Sequence, residues 1–153
     1  MKKSIQQRGV AAVELALLLP VLLFIVFGIT EFGRALYAYN TLVKNTRDAA
    51  RYYAAQQAGN PPAKETEIKN MTVYGNTAGT GSPLAPGLTT TMVTLCDSVS
   101  CPGTHQSQGA APVVNLVTVT ITGYSFQSFV PFVTANLSSI PFADISTTMK
   151  GNL

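Results

Sequence analysis

Arg8-Gly9-Val10-Ala11-Ala12-Val13-Glu14, running on without a break into Leu15 to Ile29, is the stretch on which the rest of the chain depends. A glycine closes a short basic segment, a lone carboxylate follows five residues later, and an uncharged apolar run comes after it. From Val10 to Thr30 there are 21 residues. At roughly 1.5 Å per residue they make about 31 Å of helix, enough to cross a bilayer. The pattern is a processing site fused to a membrane helix.

Upstream lies MKKSIQQRG, polar and basic, which has the look of the n-region of a secretory signal. Three features argue against ordinary signal-peptide cleavage. The apolar run is longer than a usual signal core, Glu14 places a charge inside it, and the small-residue candidate around Ala38 has Leu36 where a small side chain is needed. Pro20 removes one backbone hydrogen bond and predicts a kink, which a membrane helix tolerates. Charge alone does not orient the span, since Lys2, Lys3 and Arg8 precede it while Arg34, Lys44, Arg47 and Arg51 follow.

The leader also accounts for the chain's net charge. Without residues 1–9, Lys plus Arg fall from 10 to 7 against 7 Asp plus Glu, so the formal charge drops from +3 to 0. That removes the electrostatic basis for a nucleic-acid partner. Cys96 and Cys101 sit close together in a polar stretch, as expected of a small disulfide loop in an oxidising compartment, and they place the C-terminal part outside. Closing so short a loop contributes roughly 2 kcal/mol in the chain-entropy model.

Helical spacing continues past Thr30: Ile29, Phe32, Leu36, Tyr39, Val43, Ala50 and Tyr53 recur three and four apart until Gly59-Asn60-Pro61-Pro62 stops the pattern. The expectation is one helix from about Val10 to about Gln57, near 70 Å long at ~1.5 Å per residue. Beyond it, residues 61–88 have the composition of a loop with a short strand at Met71 to Tyr74, and Thr89 to Leu95 is β-prone. Val113 to Thr122 alternates, with Val117, Val119 and Ile121 on one face and Thr118, Thr120 and Thr122 on the other. Tyr124 to Ile140, broken by Pro131, predicts a loop with one helical turn, and Ile145 to Lys150 a closing strand antiparallel to Val113 to Thr122. The fold class is α+β, one long N-terminal helix on a small antiparallel sheet. It divides into a leader (1–9), a spanning half-helix (10–30), an extramembrane half-helix (31–58) and an outer β domain (59–153).

Little in the chain could carry catalysis. There is one histidine, His105, in a loop expected to be solvated, and no phosphate loop, dinucleotide fingerprint or nucleophile elbow. Cys96, Cys101 and His105 could offer three zinc ligands, but a structural site wants a fourth and Asp97 is a poor candidate. The expectation is no enzyme, no metal, no cofactor and no small-molecule substrate. Glu14 poses the sharper problem, because a carboxylate in a bilayer is costly, on the order of 2.5–3.5 kcal/mol at the centre. It either reaches headgroup water near the cytoplasmic surface, or meets an amine created on Val10 by a cut after Gly9, in its own chain or in the next subunit.

Arg8-Gly9 with Glu14 five residues on and Pro20 within the apolar run resembles the class-III signal of tight-adherence (Flp-type) pilins. The span RGVAAVELALLLPVLLFIVFGITEFGRALYAYN resembles the TadE-like family of minor pseudopilins. VTVTITGYSF, the proline-broken aromatic segment and ISTTMK are similar to that family's strand, loop and closing strand, while Leu15 stands where an aromatic usually follows the glutamate. The resemblance implies a pilin-like architecture, a prepilin peptidase cutting between Gly9 and Val10, an inner-membrane protein whose outer β domain is periplasmic, and partnership with other pilin or pseudopilin subunits and the assembly machinery of a pilus used in attachment. Glu14 would then serve assembly. Three other readings compete: an unprocessed single-pass inner-membrane scaffold, a secreted protein freed by ordinary signal peptidase, and an enzyme.

Overall fold

The computed structural model describes residues 6–59, 62–106, 114–130 and 139–152. One helix, α1, runs from Gln6 to Ala54, about 74 Å at ~1.5 Å per residue. It passes through Pro20, whose missing N–H leaves the Ala16 carbonyl without its intrahelical donor. Its C-terminal half lies across a three-stranded antiparallel sheet ordered β1-β2-β5, made of Val93–Cys96, Asn115–Ile121 and Ile145–Gly151. The two outer strands both pair with β2, Val93 and Ile145 each opposite Ile121. The arrangement is the α+β fold expected, with the closing strand in the expected antiparallel pairing.

Alternation in β2 does what its residue types dictate. Val117, Val119 and Ile121 are buried against α1, and Thr118 and Thr120 face outward. On α1 the buried positions are Glu31 and then Ala38, Leu42, Asn45, Thr46, Ala49, Ala50 and Tyr53, the latter again three and four apart. This differs from the expected stripe: Ile29, Phe32, Leu36 and Tyr39 are exposed. The sheet approaches where the helix carries small side chains, since Ala38, Ala49 and Ala50 let backbones come close, and ranking positions by hydrophobicity alone selects a different face. Thr46 avoids an unpaired hydroxyl in the core by donating to the Leu42 carbonyl at 2.7 Å.

The helix ends at Ala54, three residues short of the expected stop, because the end of the chain supplies donors there. The Asn152 N–H donates to the Ala54 carbonyl at 3.0 Å and its side-chain amide to Ala55 at 3.4 Å. Residues 61–88 are not all loop, and no strand forms at Met71 to Tyr74. Pro62–Tyr74 is a second helix, α2. Proline suits the first turn, where its missing donor costs nothing, and Ala63-Lys64-Glu65 follow as good helix formers. The helix packs on α1 through buried Ile68, Thr72 and Val73 and closes at Gly75, whose φ of 73° lets its N–H reach the Met71 carbonyl.

Of the stretch from Tyr124 to Ile140, expected as a loop with one helical turn, residues 131–138 lie outside the described residues, and the described ends form two short strands. β3 (Ser125–Gln127) pairs antiparallel with β4 (Ser139–Pro141). Pro141 ends its strand, a position that tolerates the missing donor. The four-residue turn α3 (Pro102–His105) follows the disulfide loop.

Candidate membrane and assembly interface

On α1 the signal residues occupy one exposed face. Gly9, Val10, Val13 and Glu14 line a shallow open concavity, at the i, i+1, i+4, i+5 spacing of one helix side. Glu14 has no ion-pair partner among the described residues. A Cβ built on Gly9 meets nothing within 4 Å. No intramolecular packing therefore explains a glycine here, and a glycine in a helix costs about 1 kcal/mol relative to alanine. The Gly9–Val10 bond lies within α1, whose described residues begin at Gln6.

From Leu15 to Val26 the helix is exposed among the described residues. The best 18-residue window has a mean hydropathy of 2.8, and none of it is buried. The large apolar side chains from Leu15 to Val26 stand open, as does Ile29 at 69%. A water-facing surface of that kind is untenable, and its length and composition fit a single-pass membrane anchor.

At the junction of this segment with the outer domain, Glu31 is buried and its Oε1 accepts from Arg34 Nη1 at 2.6 Å, while Oε2 has no partner among the described residues. The Arg34 guanidinium stacks over Phe126 at 5.1 Å and Phe129 at 3.8 Å. Phe142 joins this cluster, its ring 5.8 Å from Tyr39 and 6.3 Å from Phe126, so the β3–β4 pair is clamped to α1 at the level of Arg34. Neither Glu31 nor Arg34 was singled out from sequence as anything but helix-face charge. The i, i+3 spacing of opposite charges just after an apolar run was the available signal.

The far end of the domain is tied together by Asp97, inside the Cys96–Cys101 disulfide. Its carboxylate is 2% exposed and accepts from the Val99 and Ser100 N–H groups, the Ser100 hydroxyl and the Gly59 N–H. Burial pushes this carboxyl up, but the bonds from Ser100, Gly59 and Tyr53 more than offset that and hold it at about 2. Buried Tyr53 alongside is pushed up, by its burial first and then by the Asp97 charge. A depressed carboxyl contributes stability above its ordinary value of 3.8, lost as pH falls through about 2, worth roughly 2 kcal/mol. Asp97→Asn should therefore lower stability at neutral pH by about that amount. It should also flatten the loss between about pH 4 and pH 2, read as a smaller wild-type-minus-variant difference in acid melts. An unchanged difference across that window would remove Asp97 from the account.

Asn115, also buried, connects the same loop to the chain end. Its Oδ1 accepts from the Ser98 N–H at 3.0 Å and its Nδ2 donates to the Asn152 carbonyl at 2.5 Å. His105 is half-buried on α3, not in a solvated loop, with its Nε2 2.7 Å from the Thr118 hydroxyl. The ligand atoms of Cys96, Cys101 and His105 lie within 4.8 Å of one another. The two sulfurs are bonded to each other, which takes away the thiolates a metal would need.

Residues 9–51 match the family model of TadE-like proteins. Over that segment the chain is similar to TadE-like proteins. Comparison with curated proteins and with solved structures finds no match. The matching segment begins at Gly9, includes the whole exposed apolar run, and extends to Arg51, past the buried Ala49 and Ala50 of the domain core. It therefore covers both halves of α1, and the sheet, α2 and the disulfide loop lie outside the match.

Proposed function

We propose that this chain is a minor pseudopilin acting in assembly of a tight-adherence pilus, with a structural and not a catalytic role. In this reading residues 1–9 are a leader cut off by a prepilin peptidase, residues 10–30 span the inner membrane, and the remainder is periplasmic or carried out as part of the pilus. The observation that carries it is the continuation of the exposed apolar face beyond the span. Phe32 and Leu36 stay open at 66% and 46% on the segment similar to TadE-like proteins, past the point where an anchor alone needs an apolar surface. A helix that packs against neighbouring helices uses such a stripe, and a scaffold held by a plain anchor does not. The disulfide supports an oxidising compartment for the outer part.

Within this reading Glu14 receives the amine made by cutting before Val10, either at i, i+4 in its own chain or on the next subunit. Glu14→Ala should leave leader removal intact and reduce co-isolation of neighbouring subunits with the membrane-extracted protein severalfold. Normal co-isolation would make Glu14 a spectator.

A further inference from the structure

We propose that the membrane-proximal end of the outer domain is seated in the lipid headgroup layer, with Phe129 and Leu84 as apolar anchors on the flank of α1 that carries Arg34. This rests on the reading of residues 10–30 as a span. Arg34 lies four residues past Thr30, about 6 Å along the helix axis. The polar layer on each side of a bilayer is about 5–7 Å deep, so the guanidinium falls at the level of lipid phosphates. Its side chain is 30% exposed against 6% for Glu31, so the pair turns its cation outward, and one N–H to Glu31 leaves others of the guanidinium for an anionic oxygen.

Large exposed apolar side chains are scarce off α1. Among the described residues they are Leu84, Val99 and Phe129. Two of the three sit at this level. Phe129, 76% exposed, lies under the Arg34 guanidinium, and Leu84 lines a groove of about 410 Å³ with Thr30, Gly33, Arg34 and Tyr37. Val99 stands at the other end, against Gly59. Gly33 leaves the groove open beside Arg34, since even a Cβ there would meet nothing within 4 Å among the described residues. Aromatic and cationic side chains gathered at the end of a span are what an interfacial contact requires. By helical spacing, Phe32 and Leu36 project from the opposite side of α1, so lipid seating leaves the proposed packing stripe free.

The chain has no tryptophan, so single substitutions report depth without background. Full-length Phe24→Trp, Phe129→Trp and Val99→Trp would each be reconstituted into phosphatidylcholine–phosphatidylglycerol vesicles. The acyl chains would be brominated either close to the glycerol or deep in the core. Expected results are deep quenching at residue 24, blue-shifted emission with preferential quenching by the shallow label at residue 129, and water-like, unquenched emission at residue 99. Quenching at 24 with water-like emission at 129 would overturn the seating and leave the span intact. A blue shift at 129 with no quenching would mean that protein covers the site, which also overturns it, and quenching at 99 would mean the domain lies on its side. No quenching at 24 would overturn the span, and the seating with it.

Discussion

Gly9→Ala, or a bulkier residue, is expected to leave the nine-residue leader attached to all of the protein. The reasoning is one of elimination. A Cβ at this position meets no atom of the described residues within 4 Å, and alanine stabilises a helix by about 1 kcal/mol relative to glycine. The variant should insert and fold at least as well as the wild type. Loss of processing would then report recognition by another molecule, one whose site accommodates the chain only where no Cβ is present. On a gel, Gly9→Ala should run above wild type and alongside protein made without the peptidase. Equal mobility of variant and wild type would remove the processed-pilin reading.

Leu42→Ala is expected to cost the outer domain about 3 kcal/mol, roughly a hundredfold in its unfolding equilibrium. Leu42 is 0% exposed, on the α1 face covered by the rest of the domain, in a core with Val117, Val119 and Ile121. Leu22, at 63% exposed, provides the contrast within the same helix. It lies in the segment proposed to face lipid, and truncating it should change domain stability by less than about 0.5 kcal/mol. Urea unfolding of the reconstituted protein, followed by proteolysis of the outer domain, separates the two. Equal losses at both positions would mean that α1 is one cooperative unit with the domain and not an anchor followed by a spine.

Much of the architecture was legible because it depends on local periodicity. Val117, Val119 and Ile121 announce a half-buried strand, the apolar run announces α1, and Cys96 and Cys101 are paired as their spacing suggested. What the sequence hid depends on position within an element or on distant partners. Pro61-Pro62 has the form of a stop signal, and only the position of Pro62 in the first turn turns it into a start for α2. The covered face of α1 follows Ala38, Ala49 and Ala50, which rank low by hydrophobicity but allow close approach. Gly9 and Glu14 were visible as a pattern, and the structure adds that a Cβ at Gly9 would meet nothing within 4 Å among the described residues. Asp97 was weighed only as a poor metal ligand, because its Gly59 donor and its Tyr53 neighbour come from the far end of α1, 38 and more positions away.

The claim on which the rest turns is that the TadE-like segment is exposed as a mature N-terminus by a cut after Gly9. N-terminal sequencing of the protein purified from membranes tests it most directly, and the predicted first residue is Val10. A chain still beginning at Met1, or one beginning beyond Thr30, would contradict it.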